Sequence, residues 1–247
     1  MKDYDYKKMA ENYDIIESSS NSDKVNENLN NILKRFKVKN VWDITCGTGI
    51  QAIYLHQNGY EVTASDYSKE MLDAARKKYA AIKFVQADMR KDSLGKFDAI
   101  ISIFNAIGHL SKEDFEKALK NINSSLNSGG IYIFDIFNLE FMKNNFITYE
   151  FLDTTKEVND TKFVRFNHNK LNLKKGLMSM NQKTYIQKGI DKPSITKESW
   201  DMQIYTAEQL KGILERNGFK IISFSGFDGS KFDREKSNFI LTTAQKK

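Results

Sequence analysis

The chain is poor in the residues from which covalent and metal frameworks are built. Its 247 residues include one cysteine, Cys46, three histidines and one proline. A single cysteine excludes an intrachain disulfide framework and a multi-cysteine zinc or iron–sulfur site. It fits a reducing compartment, and no metal site is expected. No apolar run approaches the roughly 18–20 residues of a membrane span. The N-terminal Met1-Lys2-Asp3-Tyr4-Asp5-Tyr6 lacks the apolar core of a signal peptide. A soluble, cytoplasmic protein with no membrane partner is therefore expected. Neither an internal repeat nor a low-complexity linker interrupts the sequence.

The hydrophobic share, 40%, is ordinary for a globular chain. The length fits one large domain or one domain with an insertion. The net charge of +6 is unevenly spread: residues 141–247 carry 19 Lys and Arg against 12 Asp and Glu. A basic half is compatible with a nucleic-acid partner. Charge runs are more often solvated faces, and a Lys- and Asn-rich bias accounts for this one. No nucleic-acid partner is expected.

Up to about residue 140, strand and helix patterns alternate. Val41-Trp42-Asp43-Ile44 reads as a buried strand, followed by Gly47-Thr48-Gly49 and a helix to Asn58-Gly59. Glu61–Ser65, Ile82–Val85, Phe97–Phe104 and Ile131–Phe137 read as further strands. Ser68 and Ser111 stand as helix caps, and Ser128-Gly129-Gly130 is expected to stop the helix that Ser111 starts. This alternation predicts an α/β parallel sheet with right-handed crossovers. From about Thr148 to Tyr205 the period becomes two. Residues 162–166, 178–180, 184–186 and 200–205 read as antiparallel strands with one solvated face. Thr206-Ala207-Glu208-Gln209 is a capping box, and two closing strands follow at Phe219–Phe224 and Asn238–Thr242.

The most informative stretch is Asp43-Ile44-Thr45-Cys46-Gly47-Thr48-Gly49. A strand entering a Gly-x-Gly turn and then a helix lets backbone N–H groups approach a ligand. Asp66 stands at the end of the next strand, where a carboxylate can accept both ribose hydroxyls of an adenosine. Asp43 precedes the turn. It would oppose a pyrophosphate but suits a cationic ligand such as S-adenosylmethionine, with its sulfonium and ammonium; without a ligand it would cap the turn. Asp88, after the third strand, is placed to take the adenine amino proton, or else to cap its own loop. Met89 offers a backbone N–H and a side chain for the adenine face. Cys46 has no evident reaction partner and reads as a packing residue.

Over roughly residues 40–137 these motifs, with Ala87-Asp88-Met89 and Phe97-Asp98-Ala99-Ile100-Ile101, resemble the class I S-adenosylmethionine-dependent methyltransferases. Thr45 takes the place of the first glycine of that family's D-x-G-x-G-x-G loop. The resemblance implies a Rossmann-like seven-stranded sheet with an antiparallel last strand. It implies S-adenosylmethionine as cofactor and S-adenosylhomocysteine as product. The donor contacts would come from Asp43, Thr45, Gly47, Thr48, Gly49, Asp66, Tyr67, Asp88, Met89 and Phe104.

Phe104-Asn105-Ala106-Ile107-Gly108-His109-Leu110 is similar to the N-x-x-x-H-L loop of glycine/sarcosine-type N-methyltransferases. Asn105 would hold the acceptor and His109 would take a proton from it, which makes these two the catalytic candidates. In readings without a ligand, Asn105 satisfies loop backbone and His109 is a loop or core histidine. Those enzymes place an Arg directly before the Asn that follows the fifth strand, to grip a carboxylate. Here the pair is Phe137-Asn138, which keeps Asn138 as an acceptor-binding candidate, puts glycine in doubt as acceptor and leaves an amino-sugar, polyamine or other amine open. Arg165, from the insertion, is a candidate replacement for that clamp. Tyr13, in a segment similar to the family's N-terminal lid, is a candidate to cover donor or acceptor, or simply packs an amphipathic helix. Trp200 and Tyr205 read as core of the insertion.

The expected organisation is an N-terminal lid over 1–38, a donor-binding core over 39–147, a small antiparallel β insertion over 148–205, and a C-terminal helix with two strands over 206–247. The insertion would cover the pocket at the C-terminal edge of the parallel strands, or form a self-complementary dimer face. The expected function is methyl transfer to a small-molecule acceptor, an amine nitrogen more than an oxygen, by in-line displacement in a monomer or homodimer. Two alternatives stand beside it. One is an RNA or protein methyltransferase using the basic half, which the absence of an N-P-P-Y-type loop after the fourth strand disfavours. The other is a non-catalytic adenosine-ligand-binding protein.

Overall fold

The computed structural model describes residues 13–17 and 21–247. Of the N-terminal segment 1–38, residues 1–12 and 18–20 lie outside the described residues. In chain order the first elements are α1 (Tyr13–Glu17), α2 (Asn21–Arg35), β1 (Asn40–Asp43), α3 (Ile50–Gln57), β2 (Glu61–Asp66), α4 (Lys69–Lys78), β3 (Lys83–Gln86) and β4 (Phe97–Ser102). A 3-10 turn (Ala106–His109), α5 (Lys112–Ser125), β5 (Leu126–Phe137) and α6 (Leu139–Asn145) follow. Then come β6 (Phe151–Val158), β7 (Thr161–Asn167), β8 (Lys170–Asn172), β9 (Leu177–Lys188) and β10 (Ser194–Gln203), and finally α7 (Ala207–Arg216), β11 (Phe219–Ser225) and β12 (Phe239–Lys246).

The fold class read from the sequence is the one observed. Seven strands form one sheet in the order β11-β12-β5-β4-β1-β2-β3. Strands β1 to β5 pair in parallel, and the last strand, β12, is antiparallel to both β5 and β11. The strand order reverses between β1 and β4, so the loops leaving their C-terminal ends border the crevice where such sheets bind ligands. Alternate residues of each strand feed two cores, as the pleat requires. Trp42, Ile100, Tyr132 and Phe134 pack towards α5 and α7. Val41, Ala64, Ile101 and Ile133 pack with residues of α2, α3 and α4. The helix starts carry their side-chain caps: Ser68 accepts from Met71 N at 3.2 Å and Ser111 from Asp114 N at 3.1 Å. Thr206 and Gln209 form both halves of a capping box.

Several boundaries differ from the sequence reading. Helix α5 ends at Ser125, a turn before Ser128-Gly129-Gly130, because buried Leu126 already pairs with Phe97. The pairing then jumps to Ala99 with Ile131, so residues 127–130 bulge out of the ladder. Strand β4 stops at Ser102 instead of running to Phe104. Phe104 and Asn105 take left-handed φ values of 63° and 57°, which no strand accommodates. The two segments expected at 178–180 and 184–186 are one strand, β9, which pairs with β7, β8 and β10. Helix α6 and strands β6 and β8 have no counterpart in the sequence reading.

The second sheet is five-stranded and antiparallel, ordered β10-β9-β7-β6 with β8 beside β9. Leu139, Met178, Trp200, Met202 and Ile204 form a separate small core on it, against which Phe137 at the end of β5 packs. Among the described residues, no helix is long and apolar enough to cross a membrane.

Candidate functional site

The glycine loop joins β1 to α3 at the strand-order reversal. Its path is set by backbone bonds: Cys46 N–H donates to Ser65 O and Gly49 N–H to Cys46 O, each at 2.8 Å. Gly47 and Gly49 take positive φ, 53° and 86°. A Cβ on Gly49 would stand 3.1 Å from the Phe84 ring, so the close approach of the loop to β3 needs glycine there. On the Gly47 side a Cβ would meet nothing within 4 Å, which leaves a cradle open to a ligand.

Asp66 ties this loop to the end of β2. One carboxylate oxygen accepts Gly47 N–H and the other accepts Ser68 N–H, both at 2.8 Å. A carboxylate has about four acceptor positions, so these backbone donors leave capacity for a hydroxyl. Burial pushes the Asp66 carboxyl upward, against the pull of those backbone N–H groups. Beneath the loop, Asp43 is 2% exposed and its Oδ2 has no hydrogen-bond partner. Burial first, and the nearby Asp66 charge second, push the Asp43 carboxyl up to about 8. An orphaned buried carboxylate oxygen is costly unless a cation or donor arrives. The site therefore fits a ligand with a positive charge beside an adenosine-like diol.

Other donor candidates are engaged in ways the sequence did not reveal. The hydroxyl of Thr45 lies 3.0 Å from that of Ser102 at the end of β4. The Thr48 hydroxyl donates to Asp14 on α1. Tyr67 is exposed. Asp88 is clasped by Arg90, whose Nη2 and Nε lie 2.7 and 2.8 Å from its two oxygens. Hydrogen bonds from Arg90 hold the Asp88 carboxyl below its ordinary value. The Met89 side chain points into the core beside Trp42 and Phe97 instead of standing open for an adenine face. Cys46 is buried, and burial raises its thiol, in keeping with a packing residue.

On the opposite wall, the loop after β4 is held from below. Asn105 N–H donates to Asp135 on β5 at 2.8 Å, and Asn105 Oδ1 accepts Phe137 N–H at 2.9 Å. The Asn105 amide nitrogen lies 3.4 Å from Met202 Sδ on β10. The side chain of Asn105 thus fastens the loop to β5 and to the second sheet. Phe104 is 38% exposed, and its ring centroid lies 5.5 Å from that of Phe227 in the β11–β12 loop. His109 is half-buried at the end of the 3-10 turn.

The remaining acceptor candidates are dispersed. Asn138 is fully buried and caps α6. Its amide donates to the carbonyls of Arg234 and Ser237, and its oxygen accepts Glu140 N–H. That leaves it no donor for a substrate. Arg165 is ion-paired with Glu17 and with Asp153, so its end-on fork is occupied. Tyr13 lies near Asp66, and burial together with the Glu17 and Asp66 charges raises its hydroxyl. The sequence reading missed Asp135, which is fully buried, with one oxygen unpartnered. Its signal was available: a lone carboxylate inside the apolar run Ile131–Phe137. Phe227 had no local signal, since only the tertiary fold brings its loop to Phe104.

The chain is similar to known methyltransferases. Residues 41–130 match the family described as a methyltransferase domain. Glycine/sarcosine N-methyltransferase of Parasynechococcus marenigrum (strain WH8102) is 37% identical over 112 residues, 42% of this chain and 40% of that protein. The chain spans about two fifths of the length of such relatives. A longer match, 26% identical over 221 residues, covers 86% of the chain and 84% of dTDP-3-amino-3,6-dideoxy-alpha-D-glucopyranose N,N-dimethyltransferase of Streptomyces fradiae. The crystal structure of an S-adenosylmethionine-dependent methyltransferase from Clostridium acetobutylicum ATCC 824 shares the fold. It superposes with a TM-score of 0.81 at 19% identity, over 97% of this chain and 98% of that one.

Proposed function

We propose that the chain, whose residues 41–130 match a methyltransferase domain, transfers a methyl group from S-adenosylmethionine to the amine nitrogen of a small molecule. The observation that carries this reading is Asp43: a buried carboxylate with an unpartnered oxygen, under a glycine loop that Asp66 fastens to the neighbouring strand.

S-adenosylmethionine supplies an electrophilic methyl on a sulfonium. The chain's part is to bind and aim, since an in-line displacement gains most from fixed geometry. Asp43 faces the cationic amino-acid end. Asp66 offers its remaining acceptor capacity to the ribose hydroxyls. Asp88, already paired with Arg90, contributes the loop whose backbone borders the adenine. On the acceptor side Asn105 positions the loop, Phe104 forms the wall, and His109 takes the proton that a charged amine must lose before it reacts. No covalent nucleophile is required.

Two features favour a small acceptor lacking a carboxylate. Met202 of the second sheet touches Asn105, a contact that supports reading that sheet as a lid over a small acceptor. Phe137-Asn138 offers no guanidinium, and Arg165 is held by two carboxylates. The relative matched across most of its length is named for an amino-sugar nucleotide. An amino sugar is accordingly favoured over glycine.

The test is turnover of labelled S-adenosylmethionine with glycine, sarcosine, a dTDP-linked 3-amino sugar, a whole metabolite pool and bulk RNA, with products identified by mass. Methylation of an amine in the small-molecule arms is expected. Label entering RNA would establish the macromolecular alternative. Ligand binding without turnover in any arm would establish the non-catalytic one.

A further inference from the structure

We infer that Arg165 is a positioning residue of the donor site, acting through helix α1 and not on the acceptor. The inference rests on the donor-site reading above.

Arg165 sits on β7 of the second sheet, 7% exposed. Its Nε donates to Asp153 on the adjacent β6 at 2.5 Å, and Nη1 and Nη2 both reach the Glu17 carboxylate. Glu17 is the last residue of α1. At the other end of the same short helix, Asp14 accepts the Thr48 hydroxyl of the glycine loop with one oxygen and Lys78 of α4 with the other. Between them, Ile16 is buried against Phe163, with Ile15 and Ile186 alongside. Helix α1 is therefore a strut with one charged clasp on the second sheet and one on the donor loop.

A five-residue helix has no stability of its own in water, so its placement comes from these contacts. The two clasps are unequal. Asp14 and Lys78 are each at least a third exposed, and such pairs contribute little. Glu17 is about as exposed, but the Arg165 guanidinium it meets is buried and the pair is charge-assisted and two-pronged, the stronger kind. Loss of the Glu17 clasp releases the end of α1 nearest the second sheet, and with it the aim of Asp14 on Thr48 and of Tyr13 beside Asp66. An acceptor carboxylate would have to displace Glu17 to reach the same fork, which is why the positioning role is preferred.

The experiment uses the full chain, with S-adenosylhomocysteine as probe. Affinity is measured by calorimetry and release by stopped flow. Glu17→Gln and Arg165→Gln are each expected to weaken binding about tenfold, mostly through faster release, and the double variant no more than either single one. Asp153→Asn should stay within about twofold, since Arg165 keeps Glu17. A role confined to the second sheet predicts the reverse: Asp153→Asn and Arg165→Gln would lower the melting temperature alike while ligand release stayed unchanged. Unaltered release in Glu17→Gln, additive losses in the double variant, or an equal loss in Asp153→Asn would each overturn the inference. Should Arg165→Gln fail to fold, the contrast between Glu17→Gln and Asp153→Asn decides. Wild-type binding with an unaffected Glu17→Gln rejects this inference alone; a wild type that binds no S-adenosylhomocysteine rejects the donor reading as well.

Discussion

The carboxylate of Asp135, on β5, accepts the backbone N–H of Asn105 at 2.8 Å and thereby holds the loop that follows β4. Phe104 and Asn105 are both left-handed, a rare conformation for a bulky residue and one that costs energy. Asp135 stabilises it from a site with no solvent contact. Burial pushes its carboxyl up to about 7, opposed by the N–H groups of Asn105 and Phe104.

Removing that acceptor should be expensive. Asp135→Ala leaves a buried N–H unpaired, and urea denaturation should show a loss of about 2–3 kcal/mol. Asp135→Asn keeps an acceptor oxygen and removes the buried charge. Above pH 7 it should be as stable as wild type or more so.

Two glycines are spatially constrained. Gly49→Ala places a Cβ 3.1 Å from Phe84 at φ 86°, and should cost about 2 kcal/mol in the same assay. Gly108→Ala would put a Cβ 2.8 Å from Asn105 Nδ2. It should displace that side chain from Phe137 N–H and cost at least 1 kcal/mol, roughly one lost buried hydrogen bond.

Asp66 should matter more to ligand than to fold. Asp66→Ala removes the anchor of Gly47 N–H along with the proposed ribose acceptor. Calorimetry should show S-adenosylmethionine and S-adenosylhomocysteine both weakened by about 10- to 100-fold, two unmade hydrogen bonds' worth. Equal affinity in a folded variant would remove Asp66 from the site.

Between about pH 4 and pH 8 the contribution of two buried carboxyls to stability should fall as pH rises. Asp43 and Asp135 have folded values of about 8 and about 7 against an ordinary 3.8. Between the unfolded and folded values the native state binds more protons than the unfolded one. Their contribution is thus complete below about pH 4 and is lost progressively up to about pH 8. A cationic ligand beside Asp43 should reverse part of this loss. The rise in melting temperature on adding S-adenosylmethionine should therefore be larger at pH 8.5 than at pH 6. The Asp43→Asn variant should abolish that difference.

The sequence by itself determined the parallel sheet, the glycine loop and the place of Asp66, because each rests on a local regularity. Buried strands, a turn needing positive φ and a capped helix are written in neighbouring residues. The same holds for Ser68, Ser111 and the Thr206–Gln209 box. Tertiary structure alone decided which charges are occupied. Asp88 is clasped by Arg90 only two residues on, yet nothing in the local pattern states whether that pair forms. Arg165 meets Glu17 across 148 positions, and Asn138 caps α6 while tying down the carbonyls of Arg234 and Ser237. An ion pair or a buried amide is satisfied by whatever the fold brings within about 3 Å, and periodicity carries no information about distant partners. For the same reason Asp43 reads in sequence as one acidic residue among 32 Asp and Glu, and becomes a buried carboxyl with one unpartnered oxygen only once β1 lies between β2 and β4.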